Sequence, residues 1–137
     1  MGLVHVGVWL GNPADRSRRV ELEFLADSGS LLSWVPASTL AKLGIEATGS
    51  RQFQLADGQV VERPVGGAVF EYDGLVAFSN VVFGDEGSLP LLGVTTIETM
   101  GAAIDPVEQR LKAYKTLLAC TAWCERTPPN PQSNATA

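Results

Sequence analysis

The sequence predicts an all-β fold, mainly strands with one or two short helices, on three observations. Hydrophobic residues alternate with polar ones at a period of two in several short runs, the pattern of half-buried strands. The 14 glycines and 8 prolines are scattered through the 137 residues rather than clustered, which reads as a turn-rich globular chain. Two Asp-Gly pairs, Asp57-Gly58 and Asp73-Gly74, each join strand-like runs, the strongest short-range hairpin signal.

Taken in order, Val4, Val6 and Val8 alternate with His5, Gly7 and Trp9, so the first strand buries its valines and turns His5 outward. Gly11-Asn12-Pro13-Ala14-Asp15 signals a loop, and Val20-Glu21-Leu22-Glu23-Phe24 resumes the alternation to complete a hairpin. Leu31 to Pro36 is a second apolar strand, followed by a short helix over 37–44 with Ser38 as its expected N-cap and Gly44 as its stop. Arg51 to Ala56 and Gln59 to Arg63 flank Asp57-Gly58, where a two-residue type I′ turn needs positive φ at both positions. The arms of this hairpin are polar, so it is expected to project from the body, either as a lid or as an ordinary surface hairpin. A second hairpin turns at Asp73-Gly74, Val81-Val82-Phe83 extends the sheet, and Leu89 to Gly93 is another apolar strand. Thr95 or Thr96 is expected to cap a helix that ends at Gly101, with Glu98 in its first turn, where the helix dipole favours an acid. Ala102 to Pro106 returns as a strand, 111–124 has a mild helical period, and 127–137 is polar and proline-rich.

The chain is long enough for one core but small for an enzyme that must enclose a cleft unaided, which points to oligomerisation. Its net charge of −5 and the absence of a basic run beyond Arg16-Ser17-Arg18-Arg19 argue against nucleic acid, and that run is expected to be a solvated loop. No stretch approaches the ~20 apolar residues of a membrane span. The first residues lack the pattern of a secretory signal, so a cytoplasmic location is expected. Cys120 and Cys124 are four apart and are expected to be ordinary reduced thiols. With His5 as the only histidine, a Ser-His-Asp or Cys-His arrangement has little to draw on, no phosphate-binding glycine loop is present, and neither a metal nor a cofactor is expected.

One stretch carries the chemistry. Phe24-Leu25-Ala26-Asp27-Ser28-Gly29-Ser30 ends an apolar run on a carboxylate at the mouth of the core, where little water is expected around it. A single acid there is one group short, because cleaving a peptide bond needs one group to take a proton and another to give one.

This loop, with Trp34-Val35-Pro36 after it, resembles the active-site loop of aspartic proteases, which reads hydrophobic-hydrophobic-X-Asp-(Thr/Ser)-Gly-(Ala/Ser). The Ala56-Asp57-Gly58 tip lies where that family's flap should be. Leu91-Leu92-Gly93 before a short helix resembles its late hydrophobic-hydrophobic-Gly element. Together with Val94 to Pro106, the pattern is most similar to the bacterial, single-lobed members of the retropepsin-like group. The resemblance implies a closed β-barrel lobe over 1–111, while the helical period and the polar, proline-rich composition predict a helical extension over 112–124 and a disordered tail over 125–137.

Because the sequence has one Asp-Ser-Gly and no second copy, the resemblance implies a homodimer in which two Asp27 carboxylates activate a water against a peptide or protein substrate. Close like charges cannot both stay ionised at low cost, so the pair would share one proton. Ser28 would bond across the two-fold axis, Gly29 would let its amide reach the carboxylate, and Ser30 would donate to the outer carboxylate oxygen. The flap tip departs from the glycine-rich retroviral form, since Asp57 is charged. Retropepsin dimers interleave terminal strands, whereas the helical period after Leu111 implies an interface built differently. The competing reading keeps the fold without the chemistry, as a dimeric module that binds extended peptides.

Overall fold

The computed structural model describes residues 3–117. Its elements run β1 (Val4–Asn12), β2 (Asp15–Asp27), β3 (Ser33–Pro36), α1 (Ala37–Lys42), β4 (Gly49–Gln54), β5 (Val60–Tyr72), β6 (Leu75–Gly84), β7 (Leu91–Gly93), α2 (Val94–Thr99), β8 (Ala102–Asp105) and β9 (Arg110–Ala113). The all-β class with two short helices is therefore what the chain adopts.

Seven strands pair in the order β1-β2-β7-β3-β6-β5-β4, and β1 pairs with β5 as well. The extra pairing returns the ladder to its start, so six strands form a circuit and β4 hangs outside it. Along β1 the alternation works as written: Val4, Val6 and Val8 are buried and His5 faces out. Phe24 and Phe70 meet edge to face, with ring centroids 6.0 Å apart, near the centre of the core. A smaller cluster of Leu32, Val65 and Val82, with Trp34 and Phe53 against it, ties the β4–β5 hairpin to the outer side of β3 and β6.

Two hairpins share the dipeptide Asp-Gly but turn differently. At Asp73-Gly74 both residues have positive φ (49° and 81°) and Tyr72 pairs with Leu75, as a type I′ turn requires. At Asp57-Gly58 only Gly58 does (88°). There the Gly58 amide donates to the Leu55 carbonyl at 2.9 Å, the Leu55 amide to that of Gln59 at 2.8 Å, and the Gln59 amide to Asp57 Oδ1 at 2.9 Å. The connection is thus a three-residue loop closed by a left-handed glycine, not the expected two-residue turn. Ala56 takes the place in the loop that the shorter turn would have left in the strand.

Several other expectations are corrected. Neither helix has a side-chain cap: Pro36 and Gly93 occupy the N-cap positions. Ser38 instead binds Glu86 through both its amide, at 3.0 Å, and its hydroxyl. Because α2 starts at Val94, Glu98 falls in its last turn rather than its first. The helical period over 111–124 does not form at its start, since Leu111, Lys112 and Ala113 lie in β9, paired with β8 from Ala102 to Ile104. Cys120, Cys124, the rest of that extension and the expected disordered tail lie outside the described residues. The Arg16–Arg19 run is no loop but the start of β2, where Arg16 lies over Phe78 and Arg19 over Trp9. The expected stops are in place, with Gly44 and Gly101 at φ of 75° and 80°. Among the described residues no helix is long and apolar enough to cross a membrane.

Candidate active site

Asp27 is the last residue of β2, and β2 runs parallel to β7 with Leu25, Ala26 and Asp27 opposite Leu91, Leu92 and Gly93. The two stretches singled out in the sequence, far apart along the chain, are therefore direct neighbours. Leu92 is fully buried and anchors β7, while Leu91 pairs with both Leu25 and Trp34, so this short strand joins β2 to β3.

The turn after Asp27 is fixed by its own backbone. The Gly29 amide donates to Asp27 Oδ1 at 2.9 Å and the Ser30 amide to the Asp27 carbonyl at 3.1 Å. A Cβ on Gly29 would lie 3.2 Å from Asp27 Oδ1, tighter than an ordinary contact, which accounts for glycine at the point of closest approach. Ser28 is exposed. Ser30 does not do what the resemblance implied: its hydroxyl donates to the Leu32 carbonyl at 2.7 Å. It stiffens the loop and leaves the carboxylate alone.

Asp27 is only half-buried in the single chain, so the expectation of a dry acid is not met. The reason is the space beside it, a recess of about 1030 Å³ with Asp27 and Ser28 on its lining. Its remaining lining is largely apolar, including Leu3, Val94, Ile97, Ile104, Tyr114 and Leu117. Leu3, Tyr114 and Leu117 are all more than half exposed.

Gly93 holds the tightest position. A Cβ there would sit within 3.0 Å of three Leu32 backbone atoms, with Leu32 Cα at 2.9 Å, so no other residue fits without moving the chain that follows Asp27. Sequence reasoning missed what lies behind it. Ser33 and Thr96 are completely buried, their hydroxyls 2.7 Å apart. Ser33 Oγ accepts the Gly93 amide at 2.9 Å, and Thr96 donates to Ser79 Oγ at 3.0 Å. One signal was available: Ser33 is the only polar residue in the run Leu31 to Pro36, and a buried hydroxyl needs a partner.

The Ala56-Asp57-Gly58 tip is exposed, and none of its residues lines the recess at Asp27. The structure brings Asp27, Ser28, Gly29, Ser30 and Leu91-Leu92-Gly93 together and leaves the tip apart. The hairpin's root is held by Phe53 against Trp34, ring centroids 5.1 Å apart, and by Arg63 with Asp85 at 3.2 Å.

No protein-family model matches the sequence, and no curated protein does. Solved structures similar to the chain include a foamy virus protease from a simian virus, 15% identical, covering 68% of this chain and 92% of that one, at a TM-score of 0.47. A retropepsin-like aspartic protease from Rickettsia conorii is 21% identical over 76% of this chain and 85% of its own, at 0.44. A Legionella pneumophila protein of unknown function is 16% identical over 74% and 90%, at 0.47.

Proposed function

We propose that the chain is an aspartic endopeptidase whose active site is completed by a second copy of itself. The observation that supports this most is the setting of Asp27. Its carboxylate is held by the Gly29 amide at the end of a strand, braced against Gly93, and opens onto a largely apolar recess. One acid so placed has no partner acid in the recess lining except Glu98, which belongs to the last turn of α2. A two-fold axis near Asp27 supplies the missing carboxylate by symmetry. It would also cover the exposed apolar side chains of Leu3, Tyr114 and Leu117.

In that dimer the two Asp27 carboxylates hold a water and share one proton. The ionised member takes a proton from the water as its oxygen attacks the scissile carbonyl. The protonated member donates to the developing oxyanion. Ser28, exposed beside the carboxylate, would bond across the axis, and the Ala56-Asp57-Gly58 tip would close over an extended peptide.

The test is digestion of a peptide library across pH by the wild type and Asp27→Asn, with sedimentation to weigh the particle. Cleavage lost in the variant, by at least about a thousandfold, together with a dimer, is the expected result. Cleavage that survives the substitution, or a strict monomer that cleaves, would reject the mechanism. A dimer that binds peptides without cleaving them would favour the peptide-binding module.

A further inference from the structure

Behind the Asp27 turn, three consecutive amides point the same way. The Gly93 amide donates to Ser33 Oγ at 2.9 Å, the Val94 amide to the Ser30 carbonyl at 2.8 Å, and the Thr95 amide to the Leu31 carbonyl at 3.0 Å. All three acceptors belong to 30–33, the chain that leaves Asp27. These bonds use the amides at the start of α2 that a side-chain cap would otherwise satisfy, which explains why that helix has none. Two of the acceptors are backbone. The third is the Ser33 side chain, so it depends on where that hydroxyl's proton goes.

Proton counting fixes the direction. Each hydroxyl has one proton to give. Thr96 gives its own to Ser79 Oγ, so across the 2.7 Å Ser33–Thr96 contact Ser33 must be the donor. The bonds therefore run one way, from the Gly93 amide to Ser33, to Thr96, to Ser79. Ser33 is left with an acceptor lone pair facing Gly93, and its proton is committed away from the loop. Ser79, at the far end, is half-buried and lines a separate recess of about 400 Å³ with Thr95 and Thr99. Its proton remains free to turn toward that recess.

We propose that Ser33 and Thr96 are positioning residues for Asp27, the one-way chain of hydroxyls setting the height of β7 against the loop and so the place of the carboxylate. If Thr96 loses its hydroxyl, the buried Ser33 proton loses its acceptor, and Ser33 must turn to find another. Turning takes its lone pair off the Gly93 amide at the point where β7 is paired with Asp27. The loop shifts with it, and a carboxylate displaced by a fraction of an ångström no longer meets its mate and its water in register.

The inference rests on the proposed role of Asp27, and its test has a readout that needs no cleavage. Thr96→Val keeps the shape and removes the hydroxyl, while Thr96→Ser restores it. By NMR on the full chain, Thr96→Val is expected to move the Gly29 amide and Asp27 carboxyl resonances, and Thr96→Ser to return them. In peptide digestion, kcat is expected to fall by on the order of tenfold or more with KM little changed, again recovered in Thr96→Ser. Ser79→Ala, which removes only the acceptor at the accessible end, serves if Thr96→Val fails to fold, and is expected to move the same resonances by less. A melting temperature lowered in Thr96→Val with both resonances and kcat at their wild-type values would overturn the proposal and leave Thr96 a packing residue. A wild-type chain that cleaves nothing would instead count against the peptidase reading, while the resonances still decide the role of Thr96.

Discussion

The Asp27 loop and the Asp57-Gly58 hairpin, two walls of the site in the proposed reading, its floor and its lid, are held in opposite ways. The first is tied down at several points. Its strand pairs with β7, its turn closes on its own carboxylate, and three amides of 93–95 grip the chain beyond it. In the second, β4 is paired only to β5 and is exposed along nearly all of its length, and the hairpin is held at its root by the Leu32, Val65 and Val82 cluster with Phe53 against Trp34, and by the Arg63–Asp85 ion pair. Rigid elements with many buried hydrogen bonds open last, and exposed edges open first. The contrast suits a site with a fixed chemical floor and a lid that must move to admit a peptide.

Substitutions at the two walls should therefore differ in kind. The largest effect is expected at Gly93, where a methyl group meets the Leu32 backbone. Gly93→Ala should cost about 3 kcal/mol of stability, read as a fall in the urea midpoint, because neither backbone can give way. Next comes Ser33→Ala, which leaves the buried Gly93 amide without an acceptor and should cost roughly 2 kcal/mol in the same measurement.

At the lid the expected effects are smaller. Gly58 has φ of 88° with nothing within 4 Å of an added Cβ, so Gly58→Ala should cost only about 1 kcal/mol, all of it backbone strain. A cost as large as that at Gly93 would erase the contrast between the walls. Hydrogen exchange should show amides of 50–54 exchanging faster than those of 92–95, and equal protection would also contradict it.

The smallest effect is a pH-dependent one, away from both walls. The Ser38 hydroxyl and amide bind Glu86 and hold its carboxyl below its usual value of 4.5. A lowered folded-state value stabilises above the unfolded one and is lost as pH falls through the folded one. Ser38→Ala should therefore lower the urea midpoint slightly near neutral pH and leave it unchanged at a pH below both values. A difference that persists in strong acid would assign the effect to packing rather than to ionisation.

What the sequence made legible were features whose cause is local. The valine alternation in β1, the left-handed stops at Gly44 and Gly101, and the Asp73-Gly74 turn all follow from residues within a few positions of one another. Asp57-Gly58 shows the limit, since the same dipeptide adopts one turn between long paired strands and another at a free edge. The Asp27 loop and Leu91-Leu92-Gly93 were each visible, and their side-by-side pairing is long-range. Thr96 looked like a cap and Ser38 like another, because both are good at it. Their actual partners, Ser33 and Glu86, lie 63 and 48 residues away. A lone sequence does not display such pairings.

The central claim is that one chain carries half of a catalytic pair. It is tested most directly by adding Asp27→Asn in increasing excess to a fixed concentration of wild type, under conditions where subunits exchange and substrate is saturating. If two Asp27 carboxylates are needed, each mixed dimer is inactive, and peptide cleavage should fall toward zero as the variant sequesters wild-type chains. Cleavage that holds its original rate however much variant is added would mean that a single Asp27 suffices, and would contradict the claim.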